Sequence, residues 1–401
     1  MKVNSAFNNP YRWVVLMVFF GVAAMSQMLW LNLAPLISYL QEHYHVDELT
    51  AGSLLFSFPL LYVLLSIHSG VLIDKKGYKF VIALGSIVST IFAGLRIFDD
   101  SFWVLFIGQT GIAAGQPYII NGISKLTSDW FSKEQGALAT GIGTCGMLIG
   151  MALGMGLTPV LNSGFGFRIT MVVFAAISGL LTLLFIFFCK ENSSNKADSS
   201  SLKINSELKS LFANKNLITL FIISFLAIGF FNGLTTWLEP ILLPNGINSE
   251  QAGMAGAYLI LGGIAGSVIV PGLSDKFRIR KPFLILCCAA ALGLLYPLCS
   301  LHSLIAVYVF GALMGFFFLP GYALLLSMCE ELAGNERAGA ATGILMLAGN
   351  AGAVVVIILM PLVKGANPEW TNAVYLMMGL LVFTLLIMWF YLKETFSNGS
   401  H

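Results

Sequence analysis

The chain has little charge. Only 10% of its 401 residues are Asp, Glu, Lys or Arg, whereas 57% are hydrophobic and the mean hydropathy is +0.86. A soluble globular chain carries about 25% charged residues, so this composition excludes a protein whose whole surface lies in water. It predicts an integral membrane protein with the lipid bilayer as a partner. The net charge of +2 does not favour a nucleic-acid partner.

The residue patterns of catalysis and metal binding are also missing. The sequence has no GxSxG, HExxH or P-loop motif and no GxGxxG after a strand, so we expect no enzymatic activity and no cofactor. It also lacks the filter loops and charged rings of a channel. The cysteines lie inside apolar runs without CxxC spacing, which predicts small buried side chains rather than disulfides or a metal site; they are Cys145, Cys189, Cys287, Cys288, Cys299 and Cys329.

Long apolar segments take the place of charge. A helix needs about 20 apolar residues to cross the hydrocarbon, and backbone groups in lipid must pair within the protein. None of the segments alternates over about 10 residues as barrel strands do. The first segment is too long for a signal peptide, so we expect it to remain as a span. We predict an all-α integral membrane protein with twelve transmembrane helices, near 13–40, 51–72, 80–98, 102–127, 136–160, 167–189, 215–243, 251–273, 283–300, 304–330, 338–363 and 371–392.

The basic residues predict the orientation of these helices, because cytoplasmic loops are enriched in Lys and Arg. With the N-terminus inside, all 21 lysines and arginines except Arg96, Arg168 and Lys364 fall on the cytoplasmic side. Both termini are therefore expected in the cytoplasm, and the protein is expected in the plasma (cytoplasmic) membrane. We expect a monomer.

The sequence repeats itself. The tetrapeptide ATGI occurs at 139–142 and again at 341–344, an offset of 202 residues. An Ala-Gly pair ends 22 residues before Asp74, and another ends 22 residues before Asp275. This order predicts two pseudo-symmetric six-helix bundles in parallel register. We predict an N-terminal bundle at 1–189, a polar cytoplasmic linker at 190–214 and a C-terminal bundle at 215–401.

The loop GVLIDKKGYKF at 70–80 identifies a family. It fits the signature G-x-L-x-D-R/K-x-G-R/K-R/K at Gly70, Leu72, Asp74, Lys75, Gly77 and Lys79. With its twelve helices and duplicated halves, the whole chain resembles the major facilitator superfamily. The resemblance implies a transporter that works by alternating access, with a solute site near the bilayer midplane.

We predict that this loop acts in gating. Asp74, at the end of helix two, is placed to accept charge-assisted bonds from basic groups or a helix N-terminus that hold the cytoplasmic side closed. Gly70 and Gly77 are expected to let helices and a tight turn crowd together. The second copy, GLSDKFRIRK, keeps Asp275 and Lys276 but has lost the glycine. We therefore expect the first copy to be the stronger latch.

A narrower resemblance concerns helices one and four. Trp30-Leu31-Asn32, Gln116-Pro117, Lys125-Leu126 and Trp130-Phe131 are similar to motifs of the feline leukaemia virus subgroup C receptor-related branch. That branch has been associated with choline, ethanolamine and haem. Its helix-five G-N-Q is replaced here by Gly146-Met147-Leu148, so one polar contact to the solute is missing.

Polar residues inside the spans are the candidate solute contacts, because such residues are costly in lipid. In the superfamily, helices one, four, seven and ten line the cavity, so the resemblance implies that these residues converge. The predicted substrate-binding residues are Gln27, Trp30, Asn32, Gln116, Tyr118, Asn121, Asn232, Trp237, Glu239, Tyr322 and Asn350.

An organic cation suits this set best. Trp30 and Trp237 can offer cation–π contacts, and Glu239 offers a carboxylate. Alternatively, Trp237 is a membrane-interface anchor and Glu239 lies in a wet vestibule. The predicted function is facilitative or secondary-active transport of a choline-like or amine-bearing cation. Transport of a small organic anion, amino acid or nucleoside, or a sensor on the same fold, are the alternatives.

Two further ionisable residues are assigned roles in the fold, and proton coupling is not expected. Arg96 is expected to pair locally with Asp99 and Asp100, or to attract a carboxylate if the solute is an anion, and His68 is expected to pack. Proton-driven members of the superfamily often carry an arginine in helix four where this chain has Ile107. We expect a facilitator or a weakly coupled carrier.

Overall fold

The computed structural model describes residues 9–192, 210–334 and 337–395, apart from the side chains of 133, 134 and 137. Every regular element in these ranges is helical, which confirms the predicted all-α fold. Eleven helical segments among the described residues are long and apolar enough to span a membrane. The predicted fourth span at 102–127 is not among the eleven, because Gln109, Gln116 and Pro117 interrupt its apolar run.

The chain divides between Ser199 and Ser200 into two compact units. Most of the predicted linker, residues 193–209, lies outside the described residues. The first unit begins with a helix that breaks near Pro35 and continues after a short 3-10 turn. Its helices are α1 Tyr11–Leu31, α2 Ile37–Tyr44, α3 Glu48–Lys76, α4 Tyr78–Leu95, α5 Phe102–Ile120, α6 Gly122–Trp130, α7 Lys133–Phe165 and α8 Phe167–Phe188.

The second unit repeats this order with fewer breaks. Its helices are α9 Lys215–Leu242, α10 Ser249–Phe277, α11 Lys281–Ser300, α12 Leu304–Ala333, α13 Ala338–Lys364 and α14 Thr371–Phe390. Helix α3 of the first unit and helix α10 of the second begin at equivalent caps. The Asp47 side chain accepts the Thr50 amide, and the Asn248 side chain accepts the Gln251 amide within a capping box.

Glycines bring α1 and α7 of the first unit, and α9 and α13 of the second, into backbone contact. A β-carbon at Gly150 on α7 would overlap the Ala24 carbonyl on α1, and one at Gly352 on α13 would overlap the Phe225 carbonyl on α9. Small residues at these positions permit the close helix approach. The same device joins α10 to α12, where a β-carbon at Gly315 would overlap the Leu259 carbonyl, and sequence reasoning missed that contact.

Candidate functional site

The break after α1 exposes the carbonyl groups at the end of that helix. Pro35 has no amide hydrogen, and Ala34–Leu36 forms a 3-10 turn in place of the next α-helical turn. The carbonyls of Leu29 and Trp30 therefore need donors from elsewhere. Gln109 on α5 supplies them, since its Nε2 lies 3.4 Å from the Leu29 oxygen and 3.3 Å from the Trp30 oxygen.

Arg96 completes this cap. The residue follows α4 and is fully buried, and its Nη1 donates to the Leu29 oxygen at 3.3 Å and to the Asn32 Oδ1 at 3.2 Å. It also donates to the Gln109 Oε1. A cation at a helix C-terminus stabilises the negative end of the helix dipole. The expected local pairing of Arg96 with the aspartates that follow it is wrong, because the end of α4 directs Arg96 inward.

Trp30 is held by a carbonyl that a proline leaves free. Pro59 on α3 cannot donate to Leu55 four residues earlier, and the Trp30 Nε1 donates to the Leu55 oxygen at 3.2 Å. The indole stacks on Phe58 with ring centroids 5.7 Å apart, and 8% of the residue is exposed. Trp30 is thus a fixed, largely buried ring.

The polar candidates in the first unit differ in how far their hydrogen bonds are satisfied. Gln27 has a buried Oε1, and Asn32 a buried Nδ2, without a hydrogen-bond partner among the described residues. Gln116 is 5% exposed, and the described part of the chain gives its amide no hydrogen bond. These three amides retain unused hydrogen-bonding capacity for a solute.

Asn121 and Tyr118 are already engaged. Asn121 joins α5 to α6, where its Oδ1 accepts from the Tyr62 hydroxyl at 2.8 Å and its Nδ2 donates to the Ser69 Oγ at 2.6 Å. The Tyr118 hydroxyl lies 2.7 Å from the Nδ1 of His68, which is exposed. His68 therefore does not pack in the interior as expected but pairs with a predicted solute contact.

In the second unit, Trp237 repeats the arrangement of Trp30. Pro361 on α13 leaves the Ile357 carbonyl free, and the Trp237 Nε1 donates to it at 3.1 Å. The ring packs on Trp370 with centroids 4.9 Å apart and has no exposed surface. This position favours a packing role for Trp237 over direct contact with a solute.

Three other candidates lie on separate helices of this unit. Asn232 on α9 donates to the Ile228 carbonyl at 2.9 Å, and its buried Oδ1 has no partner among the described residues. Asn350 on α13 donates to the Met346 carbonyl at 2.9 Å. Tyr322 on α12 is half-buried. Among the three, Asn232 has the buried unsatisfied acceptor.

Glu239 is the carboxylate of the second unit's candidate site. It is 2% exposed, so it does not lie in a wet vestibule. It precedes Pro240 on α9, and its Oε1 accepts from the Ser249 hydroxyl at 2.9 Å. Ser249 is the first residue of α10, and a helix N-terminus favours a nearby anion. The fold therefore places a buried carboxylate in a membrane helix.

The predicted gating loop is organised by a residue outside it. A Glu191 oxygen accepts the Lys79 amide at 2.9 Å and so caps the start of α4. Gly77 has φ +83°, and a β-carbon there would overlap the Glu191 carboxylate. Burial raises the pKa of Glu191 above its ordinary value, and the bond from the Lys79 amide offsets only part of that rise. Asp74 is exposed and has no bond to any described residue, so the bonds expected of it are not found.

The second copy uses the same device. Glu394 accepts the Arg280 and Lys281 amides at 3.0 Å and so caps the start of α11. The Arg280 side chain also bonds to Asp275 at 2.7 Å and to Glu331 at 2.8 Å. Asp275 of the second copy is therefore held in an ion pair within its unit, whereas Asp74 of the first copy is not. Lys276 is exposed.

Sequence reasoning missed both capping glutamates. Their sequence signal is a Lys-Glu pair two or three residues after the last helix of each unit, at 190–191 and again at 393–394. Gly70 also differs from expectation, because no described atom lies within 4 Å of a β-carbon built on it. The crowding predicted at Gly70 is therefore absent from the described residues.

Gly77 and Gly70 give a matched pair of substitutions that tests the loop. We expect Gly77→Ala to lower the thermal stability of the purified protein and its transport rate, because alanine would need φ +83° and would displace Glu191. A non-glycine residue in this backbone conformation costs about 1–3 kcal/mol. Gly70→Ala should leave both close to wild type. Equal melting temperatures for the two variants would contradict the role assigned to Gly77.

The sequence comparisons agree with this fold. Residues 18–296 and 240–400 match the Major Facilitator Superfamily. The chain belongs to the Major Facilitator Superfamily. The choline/ethanolamine transporter flvcr2b of Danio rerio is 23% identical over 359 residues, which cover 83% of this chain and 74% of that protein. The resemblance to the choline/ethanolamine branch is therefore confirmed, and the chain is a Major Facilitator Superfamily transporter.

Solved structures share the Major Facilitator fold. A bacterial homologue of the human lysosomal transporter Spinster, in an inward-facing and occupied conformation, has a TM-score of 0.76 at 16% identity and covers 96% of each chain. A mutant of the nucleoside transporter NupG has a TM-score of 0.75 at 16% identity, covering 94% of this chain and all of that one. At these identities the likeness concerns the fold alone.

Proposed function

We propose that this Major Facilitator transporter moves a small organic cation of the choline or ethanolamine type by alternating access. The observation that carries the proposal is the buried carboxylate of Glu239, which directly precedes Pro240 inside α9. An ionisable group inside a membrane span is costly and therefore marks a functional site by default. A carboxylate there suits a cationic solute.

The remaining candidates support a cation with a polar end. Trp30 offers an aromatic ring, while Gln27, Gln116 and Asn232 offer amides with unused hydrogen-bonding capacity. A hydroxyl or amino group beside the cationic centre can bond to such amides. The relatives named as choline/ethanolamine transporters make the same solute class the first to test.

A small organic anion is the second candidate. Arg96 is fully buried, and its Nε and Nη2 have no hydrogen-bond partner among the described residues. Two unused donors on a buried guanidinium suit a carboxylate. The Arg96 Nη1, however, already donates to three neutral acceptors at the C-terminal end of α1. That commitment favours the cation.

Uptake by the purified protein in liposomes tests the proposal. We expect saturable uptake of radiolabelled choline, competition by ethanolamine, and no competition by nucleosides, amino acids or carboxylates. An imposed pH gradient should not drive accumulation, because we expect facilitated transport. The opposite result would be uptake of a carboxylate but not of choline, with the uptake abolished in Arg96→Ala and retained in Glu239→Gln. It would show that the transported solute is an anion.

A further inference from the structure

A cleft with aromatic walls lies in the first unit, away from the candidate residues above. It is a cleft of about 360 Å³, within the size range of small-molecule sites. It lies between the end of α2, the start of α3 and the start of α5, at the end of the unit predicted to be extracellular. Its lining includes His43, Tyr44, Thr50, Asp100, Phe102 and Trp103.

Aromatic rings form much of this cleft. Tyr44 and Phe102 meet edge to face with centroids 5.9 Å apart, and Phe102 and Trp103 do so at 5.8 Å. The Tyr44 hydroxyl donates to the Asp99 carbonyl at 3.0 Å, which fixes the loop between α4 and α5 against α2. Trp103 is 65% exposed, so its ring is accessible. Rings at several angles suit a rounded cation such as a quaternary ammonium group.

A carboxylate borders these rings. Asp100 is exposed and forms no hydrogen bond or ion pair with any residue that the structure describes. By contrast, Asp47 in the neighbouring loop is used to cap α3, and its bond from Thr50 lowers its pKa. Asp100 is therefore available to a cationic ligand in the cleft.

The surrounding loops add charge of the same sign. The connections and helix starts at this end of the unit carry Asp47, Glu48, Asp99 and Asp100 against Arg96 and Arg168. Arg96 is fully buried in the cap of α1. A site with an excess of one charge raises the local concentration of oppositely charged solutes and their rate of capture.

We propose that the cleft lined by Tyr44, Asp100, Phe102 and Trp103 is a weak binding site for an organic cation. It would collect the solute before transport. This inference rests on the proposed function, since it assigns the same solute class to a second place in the molecule. By capturing solute, such a cleft raises kcat/KM, and therefore the uptake rate at low solute concentration, without changing kcat.

Equilibrium binding of radiolabelled choline to the full-length protein in nanodiscs tests the cleft. We expect two classes of site in the wild type, a tight one and a weak one. Asp100→Asn and Trp103→Ala should each remove the weak class and lower kcat/KM for uptake about threefold or more, with kcat unchanged. The neutral analogue 3,3-dimethylbutan-1-ol should not compete at the weak site.

Two control variants separate local binding from general effects. Glu42→Gln removes the same charge from the same end of the unit, at an exposed position that does not line the cleft. Trp389→Ala removes an indole that is 65% exposed, as Trp103 is, from the second unit. Both controls should keep the weak class and the wild-type kcat/KM.

The outcomes distinguish this inference from the proposed function. Choline uptake with a single class of site, or a weak class that survives both cleft substitutions, would overturn the cleft and leave the function standing. A weak class that depends on Asp100 and Trp103, without any choline uptake, would support the cleft and overturn the function. Loss of thermal stability in Trp103→Ala with unchanged binding would show that Trp103 only anchors the helix end.

Discussion

Glu239→Gln is expected to lower kcat/KM for choline by roughly thirtyfold or more. Removing one partner of a buried, desolvated charge pair costs about 2–5 kcal/mol, and each 1.4 kcal/mol is about tenfold. Glutamine has almost the same shape as glutamate, and its side-chain oxygen can still accept from Ser249, which now lies 2.9 Å from the Glu239 Oε1. The change therefore removes the charge and preserves the local packing. Initial rates of uptake into liposomes over a range of choline concentrations give the ratio.

Glu369→Gln is the matched control for this change. Glu369 is an exposed carboxylate of the same unit, so its neutralisation should leave uptake within about twofold of wild type. Both variants should melt near the wild-type temperature. Wild-type uptake kinetics in Glu239→Gln would remove the observation on which the proposed cation specificity rests.

Arg96→Ala is expected to destabilise the first unit strongly. The substitution removes the donor to three buried acceptors, which are the Asn32 Oδ1, the Gln109 Oε1 and the Leu29 carbonyl oxygen. Each buried acceptor left unsatisfied costs about 1–3 kcal/mol. Removing a buried charge returns part of this through lower desolvation. We expect a net loss of about 3 kcal/mol, which lowers the melting temperature by roughly 6–12 °C.

Two further variants identify the cause. Arg96→Gln keeps a hydrogen-bond donor without the charge, so it should recover part of the lost stability if capping of α1 is the main role. Arg168→Ala removes an exposed arginine from the same end of the unit and should change the melting temperature by less than about 2 °C. A melting temperature of Arg96→Ala at or above wild type would show that the buried charge costs more than the cap contributes. Thermal denaturation followed by size-exclusion chromatography in detergent measures all three.

The sequence predicted much of the fold because membrane insertion leaves few solutions. Apolar segment length and the absence of strand alternation were enough for an all-helical chain. Gly146, Gly150 and Gly154 lie four residues apart in the sequence, a spacing typical of close helix approach, and the structure places a carbonyl of α1 against Gly150 on α7. The partner of Gly315 was not predictable, because a glycine's spacing does not reveal which helix approaches it.

Hydrogen-bond partners were the least predictable part of the site. Arg96 was expected to pair with the neighbouring aspartates in the sequence, but its buried partners come from α1 and α5. Glu191 lies 112 residues from the amide that it caps, so only the repeated Lys-Glu pair gave any sign of it. Whether Trp237 faces a solute or the protein interior depends on the rotation of α9 about its axis, which a helix with apolar residues on every face does not encode in its pattern.

The pairing of each buried tryptophan with a distant proline couples substitutions at the two positions. Pro59 leaves a carbonyl free and Trp30 uses it, and Pro361 and Trp237 do the same in the other unit. If the proline alone is replaced, the helix reclaims its carbonyl and the indole loses its acceptor. If the tryptophan alone is replaced, a carbonyl remains unpaired in an apolar setting. A change at either position therefore removes the hydrogen-bond partner that the other position relies on, so the tryptophan and the proline of each unit act as one structural element.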